Sequence, residues 1–474
     1  MKNRYDKLLG NTLIFAIGSF SSKAMVFLLM PLYSRVLTDA QYGATDVITT
    51  TANLLMPFVM LSINEAIIRF CMDRSVKKSE VFSIGLVTVL AGFAVFGLLA
   101  PLMLQIKMLS AYTLLIYLYV LAGMLKNITA QFVRSSGLVR LFAFDGFLAT
   151  LTTILFNVTF LLGFKWGVTG YILSIILSNV VSILFLFFTA RLWRYVKLTA
   201  INKKLWREML RYAVPLIPTT MFWWITTASD RYFIIYFWGE AANGLYAAAH
   251  KLPALLTMVS AVFYQAWQIS AVSESGQGAR TSRFYSQVYD YYSTLLLLAA
   301  SGVIFICRPL ISVWLAESYY EAWRFVPFLT MAEVFSSLVT FMGSFYMVAK
   351  RNATVPIAIA VGAIANIGLN YLMVPTHGAL GAAMATVASY LLAFLVRAVD
   401  IRRLVDIKLR PLPLACSLLL LMAQTALLFR EGDPHPILTQ LLMVLLMVLL
   451  NLRPVMRLCL AMLERLRQLR HARG

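Results

Sequence analysis

The sequence predicts an all-α polytopic membrane protein of about fourteen transmembrane helices, built as two six-helix lobes followed by two C-terminal helices. Three observations carry this expectation. The 474 residues are 61% hydrophobic and 13% charged, with a mean hydropathy of +0.79, whereas soluble globular chains are about a quarter charged. Fourteen runs are apolar for roughly the 20 residues that a helix needs to cross hydrocarbon. Two stretches of the first half recur in the second at nearly the same offset.

In chain order the spans fall at roughly 9–33, 41–67, 81–104, 112–133, 142–163, 168–190, 212–237, 243–271, 289–315, 325–349, 352–374, 379–400, 411–429 and 436–452. Span nine is interrupted by Arg308 and Pro309. The division is 1–195 for the first lobe, 196–211 for a cytoplasmic linker, 212–405 for the second lobe, and 406–474 for the last two spans with a basic tail. The first apolar run is too long for a signal peptide and lacks a small-residue cleavage site. The longest segment between spans is about 20 residues, RLWRYVKLTAINKKLWREMLR. No soluble catalytic domain fits there, and no phosphate-binding GxxxxGK[ST] motif occurs in the chain. The reading is therefore a transporter without cofactor, and not an enzyme.

The net charge of +21 is a topology signal and not a nucleic-acid footprint. With a cytoplasmic N-terminus, 31 Lys and Arg fall on the inner side and six on the outer: Arg35, Lys107, Lys165, Arg308, Arg324 and Arg430. Positive charge concentrates in cytoplasmic loops, so both termini are assigned to the cytoplasm. Contact with membrane lipids follows, and attraction to anionic headgroups is secondary. The four cysteines and four histidines are scattered, with no CxxC and no metal-ligand spacing.

The repeats fix the internal symmetry. LTDAQYGATDVITTTANLL (37–55) aligns with WGEAANGLYAAAHKLPALL (238–256) at an offset of 201, and WGVTGYILSIILSNVV (166–181) with HGALGAAMATVASYLL (377–392) at 211. Each joins a glycine turn to the helix that follows. Six spans per repeat is an even number, so the two halves share one orientation about an axis along the membrane normal.

The segment PLYSRVLTDAQYG (31–43) resembles the first outer turn of polysaccharide-exporting proteins of the multidrug/oligosaccharidyl-lipid/polysaccharide (MOP) exporter superfamily, and the turns Gly167-x-x-Gly170 and Gly378-x-x-Gly381 are similar to theirs. The resemblance covers essentially the whole chain. It implies two lobes around a central cavity that opens alternately to either side. The implied cargo is an oligosaccharide on a polyprenyl diphosphate, a surface-polysaccharide repeat unit, flipped from the cytoplasmic to the outer leaflet. A polysaccharide polymerase and glycosyltransferases are the implied partners. The alternatives are a cation-coupled multidrug exporter of the same superfamily and a lipid II flippase.

Charges inside the spans locate a candidate site. A lysine at the bilayer centre costs about 2.5–3.5 kcal/mol on insertion scales, so its presence asks for a wet, polar surrounding. Lys23 has Ser19 four residues before it and Ser22 directly before it; Lys126, Arg231 and Lys251 lie on spans four, seven and eight. These four cations are the candidate contacts for a diphosphate. Asp230 and Glu333 are the deep carboxylates, and structural ion pairing with the cations is the competing expectation. Asp46, Glu65 and Asp145 lie nearer span ends. Trp223 and Trp224, near the middle of span seven, are candidates for stacking on a sugar ring, with Trp224 at the repeat position of Lys23. The charge bias is checked with reporters: a fluorescent protein fused to either terminus fluoresces, and alkaline phosphatase fused at residue 38 is active. The reverse pattern inverts the topology.

Overall fold

With no water in hydrocarbon to satisfy a backbone amide, a spanning segment must bond its own N–H and C=O groups, and a helix does so. A computed structural model describes residues 27–73, 75–105, 110–197, 201–273, 279–348, 355–403, 407, 409–430 and 435–456, and among them the regular structure is helical throughout, with no strand. Lys23, Ser19 and Ser22 lie outside the described residues. The chain forms two compact units, Met1–Gly244 and Leu245–Gly474.

The first unit contains α1 (Met30–Val36), α2 (Asp39–Val59), α3 (Ile63–Met72), α4 (Lys78–Gly97), α5 (Ala100–Gln105), α6 (Thr113–Ser135), α7 (Val139–Asn157), α8 (Gly167–Thr189), α9 (Lys203–Ala213) and most of α10 (Ile217–Ala249). Its core runs from Ile48 and Ala52 through Ile67, Phe82 and Val120 to Met209. α2 starts at a capping box: Thr38 Oγ1 accepts from Gln41 N at 3.2 Å, and Gln41 Oε1 accepts from Thr38 N at 3.2 Å. α9 is an amphipathic helix. Leu205, Met209 and Ala213, spaced by one turn each, are buried against α3, while Lys203, Lys204, Arg207 and Arg211 stay exposed. The Arg69 guanidinium lies 4.3 Å from the centre of the Tyr212 ring, tying the ends of α3 and α9.

A backbone crossing joins α2 to α10. A Cβ on Gly43 would stand 2.0 Å from the Glu240 carbonyl oxygen, and a Cβ on Gly244 would stand 1.9 Å from that of Asp39. Both distances lie far inside van der Waals contact, so glycine is required at both places. The contact is reciprocal: glycine lies against the carbonyl four residues before the other glycine, and the two glycines, like the two carbonyl residues, are separated by the repeat offset of 201. Small residues let membrane helices approach to this distance, where dispersion and hydrogen bonds replace the hydrophobic effect. Asn243 adds a bond from Nδ2 to the Gly43 oxygen at 3.0 Å. The second repeat pair is alike in backbone too. Gly167 and Gly378 have φ of 53° and 60°, in the left-handed region, each opening the helix that follows.

The second unit contains α11 (Ala254–Ser273), α12 (Ala279–Trp314), α13 (Val326–Val348), α14 (Val355–Ile401), α15 (Pro411–Leu428) and α16 (Pro436–Leu450). An aromatic core holds it: Phe341 lies 5.0 Å from Trp267 and 5.0 Å from Tyr292, centre to centre, and Trp267 Nε1 donates to Ser344 Oγ at 2.7 Å. The two last helices are fastened by buried amides. Ser301 Oγ donates to Gln424 Oε1 at 2.8 Å, Gln424 Nε2 to the Ser301 oxygen at 3.1 Å, and Gln440 Nε2 to the Gln424 oxygen at 3.1 Å. Asn451 Nδ2 donates to Ser417 Oγ at 3.1 Å.

Several spans differ from the sequence expectation for identifiable reasons. Span two is a pair, α2 and α3, bent by 55°, with Leu61 and Ser62 in the left-handed region after Pro57. The span expected at 243–271 is broken between Ala249 and Ala254, and α11 begins one residue after Pro253. Span nine is not interrupted: α12 passes through Arg308 and Pro309 and ends at Trp314, so the missing N–H falls in its last turns. Spans eleven and twelve form one element, α14, broken at Gly378 (φ 60°, ψ −141°). By length and composition eight described helices can cross a membrane, nine with the bent pair; the count of fourteen remains an expectation from the sequence.

The crossing makes a contrast in stability. Gly43→Val and Gly244→Val each force the helices apart and lower the midpoint of thermal unfolding in detergent by several degrees. Gly302→Ala, mid-helix in open space, is neutral or gains about 0.5–1 kcal/mol. Equal tolerance at all three positions contradicts the crossing.

Candidate functional site

A cavity of about 410 Å³ opens in the first unit among α2, α6, α7 and α8. Its size falls in the range of small-ligand pockets, about 300–1,000 Å³. α6 supplies most of the wall. Tyr119, Gly123, Lys126, Asn127 and Gln131 recur at three- and four-residue steps, which places them along one stripe of the helix. Gly123 leaves room for Met56 of α2, whose Sδ sits 2.7 Å from where a Cβ would be. α2 contributes Asn53, α7 contributes Asp145, and α8 contributes Asn179.

One cation and one carboxylate share this wall. Asp145 is 2% exposed, accepts a hydrogen bond from Ser182 Oγ, and interacts electrostatically with Lys126. Lys126 and Asp145 thus put one positive and one negative group in the same wall. The remaining polar groups are side-chain amides. Asn127 Oδ1 and Gln131 Oε1 are buried atoms with no hydrogen-bond partner in the protein. They sit four residues apart on the same face of α6, with both oxygens shut off from the open space. A buried acceptor left unmade costs about 1–3 kcal/mol, unless water or a ligand supplies a donor.

Two turns along α2 from Asn53 lies a second charged pair. Arg231 Nε donates to Asp46 Oδ2 at 2.5 Å and Arg231 donates also to the Thr227 oxygen at 2.9 Å. Both side chains of the pair are 12% exposed. Thr51 Oγ1 and the Tyr232 hydroxyl are hydrogen-bonded at 2.7 Å one turn further on. Asp46 and Asn53 are seven residues apart and so share a helix face.

The other residues singled out in the sequence distribute as follows. Asp230 is fully buried in the first unit, beside Arg231. Trp224 packs on Tyr232 at 5.9 Å between ring centres, whereas Trp223 is 53% exposed and lines no part of the cavity. Lys251 and Glu333 belong to the second unit. Lys251 is half-buried in the break before α11, and Glu333 accepts from Ser337 Oγ at 3.5 Å. A second cavity, of about 560 Å³, lies in that unit between α13, α14 and α15. Its lining is apolar apart from Thr425, which already donates to the Leu421 oxygen at 2.8 Å.

Sequence reasoning found Lys126 but missed its surroundings. Asp46 and Asp145, nearer the span ends in the sequence, join the cations: Asp46 pairs with Arg231, and Asp145 lines the cavity with Lys126. Asn127 and Gln131 carried a usable signal: two amides one turn apart, next to a lysine, in a helix that must cross hydrocarbon.

The chain was compared with known proteins. Residues 8–268 match the family model described as Polysaccharide biosynthesis protein. Lsg locus putative protein 1 of Haemophilus influenzae is 25% identical over 337 residues, 67% of this chain and 79% of that one. Among solved structures, the lipid II flippase MurJ in an inward closed conformation superposes with a TM-score of 0.72 at 14% identity, over 94% of this chain and 100% of that one. An outward-facing multidrug resistance MATE family transporter of the MOP superfamily superposes with a TM-score of 0.58 at 16% identity, over 83% of this chain and 94% of that one. The fold is thus that of MOP membrane transporters.

The buried pair at Asp46 is tested by a double-mutant cycle. Removing one partner strands a charge, at about 3–5 kcal/mol, so Asp46→Asn and Arg231→Gln each lower thermal stability in detergent. The exchange of the two, Asp46→Arg with Arg231→Asp, recovers part of the loss. Additive losses in the exchanged protein contradict the pairing.

Proposed function

The chain belongs to the polysaccharide biosynthesis protein family, and on that premise we propose that it flips a polyprenyl-diphosphate-linked oligosaccharide from the cytoplasmic to the outer leaflet of the inner membrane by alternating access. The observation that carries this reading is the family match across residues 8–268, a stretch that contains the whole polar cavity of the first unit. Transport without covalent chemistry is the accompanying proposal.

The physical task is to move a hydroxyl-rich, doubly charged headgroup past hydrocarbon while its isoprenoid stays in lipid. A polar chamber inside a helical unit lowers that barrier, because it replaces water with fixed donors and acceptors. The two lobes at 1–195 and 212–405 are proposed as the moving halves. Lys23, Arg231 and Lys251 are proposed as cationic contacts for the diphosphate, with Arg231 exchanging between Asp46 and the cargo. A lipid II cargo is the second reading, favoured by the MurJ-like fold. A multidrug cargo fits less well, since an organic cation would meet Lys126 in the cavity wall.

Deleting the gene decides among these. Cells lacking the protein accumulate lipid-linked repeat units that externally added periodate does not reach in intact spheroplasts, and Lys23→Ala reproduces the defect with normal membrane insertion. Repeat units equally reachable with and without the protein overturn the proposal. Arrested peptidoglycan synthesis supports lipid II, and drug hypersensitivity supports multidrug export.

A further inference from the structure

We propose that the C-terminal end of α14 holds an anionic phospholipid of the cytoplasmic leaflet, with its phosphate on Arg403 and one acyl chain in the groove between α13 and α14. The site lies within the second unit and does not depend on what the cargo is. A cavity of about 480 Å³ is lined there chiefly by Tyr346, Ile357, Leu395, Val399, Asp400 and Arg403. The concentration of Lys and Arg between Arg397 and Arg410 assigns this end to the cytoplasmic side.

The lining has an apolar part and a charged part. Ile357, Leu395 and Val399 are exposed, and exposed aliphatic side chains on a spanning helix face hydrocarbon. Leu395 and Val399 stand one turn apart and form a continuous edge. At the charged end Asp400 has a cation three residues to either side, Arg397 and Arg403, so two positive groups meet one carboxylate. Asp400 Oδ2 accepts from the Tyr346 hydroxyl at 2.6 Å. Arg397 is buried and donates to the Val339 oxygen. Arg403 is exposed in the cavity wall, and among the described residues its guanidinium makes no ion pair and no hydrogen bond. The surplus is one positive charge, and the open group is Arg403. A phosphodiester carries one negative charge, and a guanidinium takes phosphate oxygens through paired N–H donors. A lipid chain entering the groove exchanges hydrocarbon for hydrocarbon, so discrimination among lipids falls to the headgroup. A zwitterionic lipid brings its own cation to a site already positive; an anionic lipid does not. Soluble phosphate has nothing to lay along Leu395 and Val399.

The full-length protein in detergent is titrated with dioleoyl phosphatidylglycerol, phosphatidylethanolamine and phosphatidylcholine, and lipid occupancy is read by native mass spectrometry. Phosphatidylglycerol binds best to the wild type. Arg403→Gln weakens it about fivefold, the worth of one charged contact at a membrane surface, and removes the preference over phosphatidylethanolamine. Arg402→Gln deletes the same charge from an exposed neighbour that does not line the cavity, and binding stays as in the wild type. Leu395→Trp fills the groove and lowers occupancy by phosphatidylglycerol. Equal losses in Arg402→Gln and Arg403→Gln overturn the inference, because the attraction is then diffuse. Equal affinity of the wild type for the three lipids overturns it too, as does displacement of phosphatidylglycerol by inorganic phosphate at the same concentration. Unliganded melting curves verify folding, and the contrast between the two exposed arginines stays readable even where Leu395→Trp does not fold.

Discussion

Two backbone carbonyls hold the first unit in register. The oxygen of Asp39 occupies the place a side chain would take on Gly244, and the oxygen of Glu240 does the same at Gly43. Because the crossing is backbone against backbone, it leaves no slack for a side chain to absorb. The residues that follow along α2 are therefore positioned by it: Asp46 opposite Arg231, Thr51 opposite Tyr232, and Asn53 at the cavity. Membrane helices gain little from burying apolar surface against each other, since lipid is equally apolar. Close packing at small residues and a few polar bonds must do what the hydrophobic effect does in water, and the α2–α10 crossing does both.

The polar interior is arranged by pairing. Arg231 has Asp46, Asp145 has Ser182, and Lys126 shares its cavity wall with Asp145. What remains open is amide chemistry, at Asn127 and Gln131. Charged groups at this depth are tolerated when they are matched, and the residual capacity then belongs to neutral donors and acceptors. This explains how a strongly basic chain can contain a cavity without a surplus of positive charge. Its basic residues lie mainly between the spans, as on the exposed face of α9.

Much of the fold was legible in the sequence because glycine marks geometry. The repeat offset of 201 pairs Gly43 with Gly244, which turn out to touch, and 211 pairs Gly167 with Gly378, which share a left-handed backbone. Hydropathy found the apolar helices but could not see bends. Leu61 and Ser62 turn the chain by left-handed geometry, and nothing in their apolar and hydroxyl character announces it. Pro309 signalled a break that α12 does not make, since a proline so near the helix end removes little. Within the site, depth along a span located Lys126 and Arg231, but depth says nothing of which face a residue occupies. Asp46 and Asp145 lie nearer the span ends, and only their helices' packing brings them to the two cations.

The amides that fasten the last two helices have a consequence for biogenesis. Gln424 of α15 commits its side-chain amide to Ser301 of α12, and Gln440 of α16 donates to the Gln424 backbone oxygen, so each glutamine takes its partner from an earlier helix. During synthesis α12 precedes α15 and α15 precedes α16, so each glutamine meets a partner that has already been made. The order of synthesis thus matches the order of bonding, and the Gln440 amide draws the final helix onto a site that its predecessors have completed.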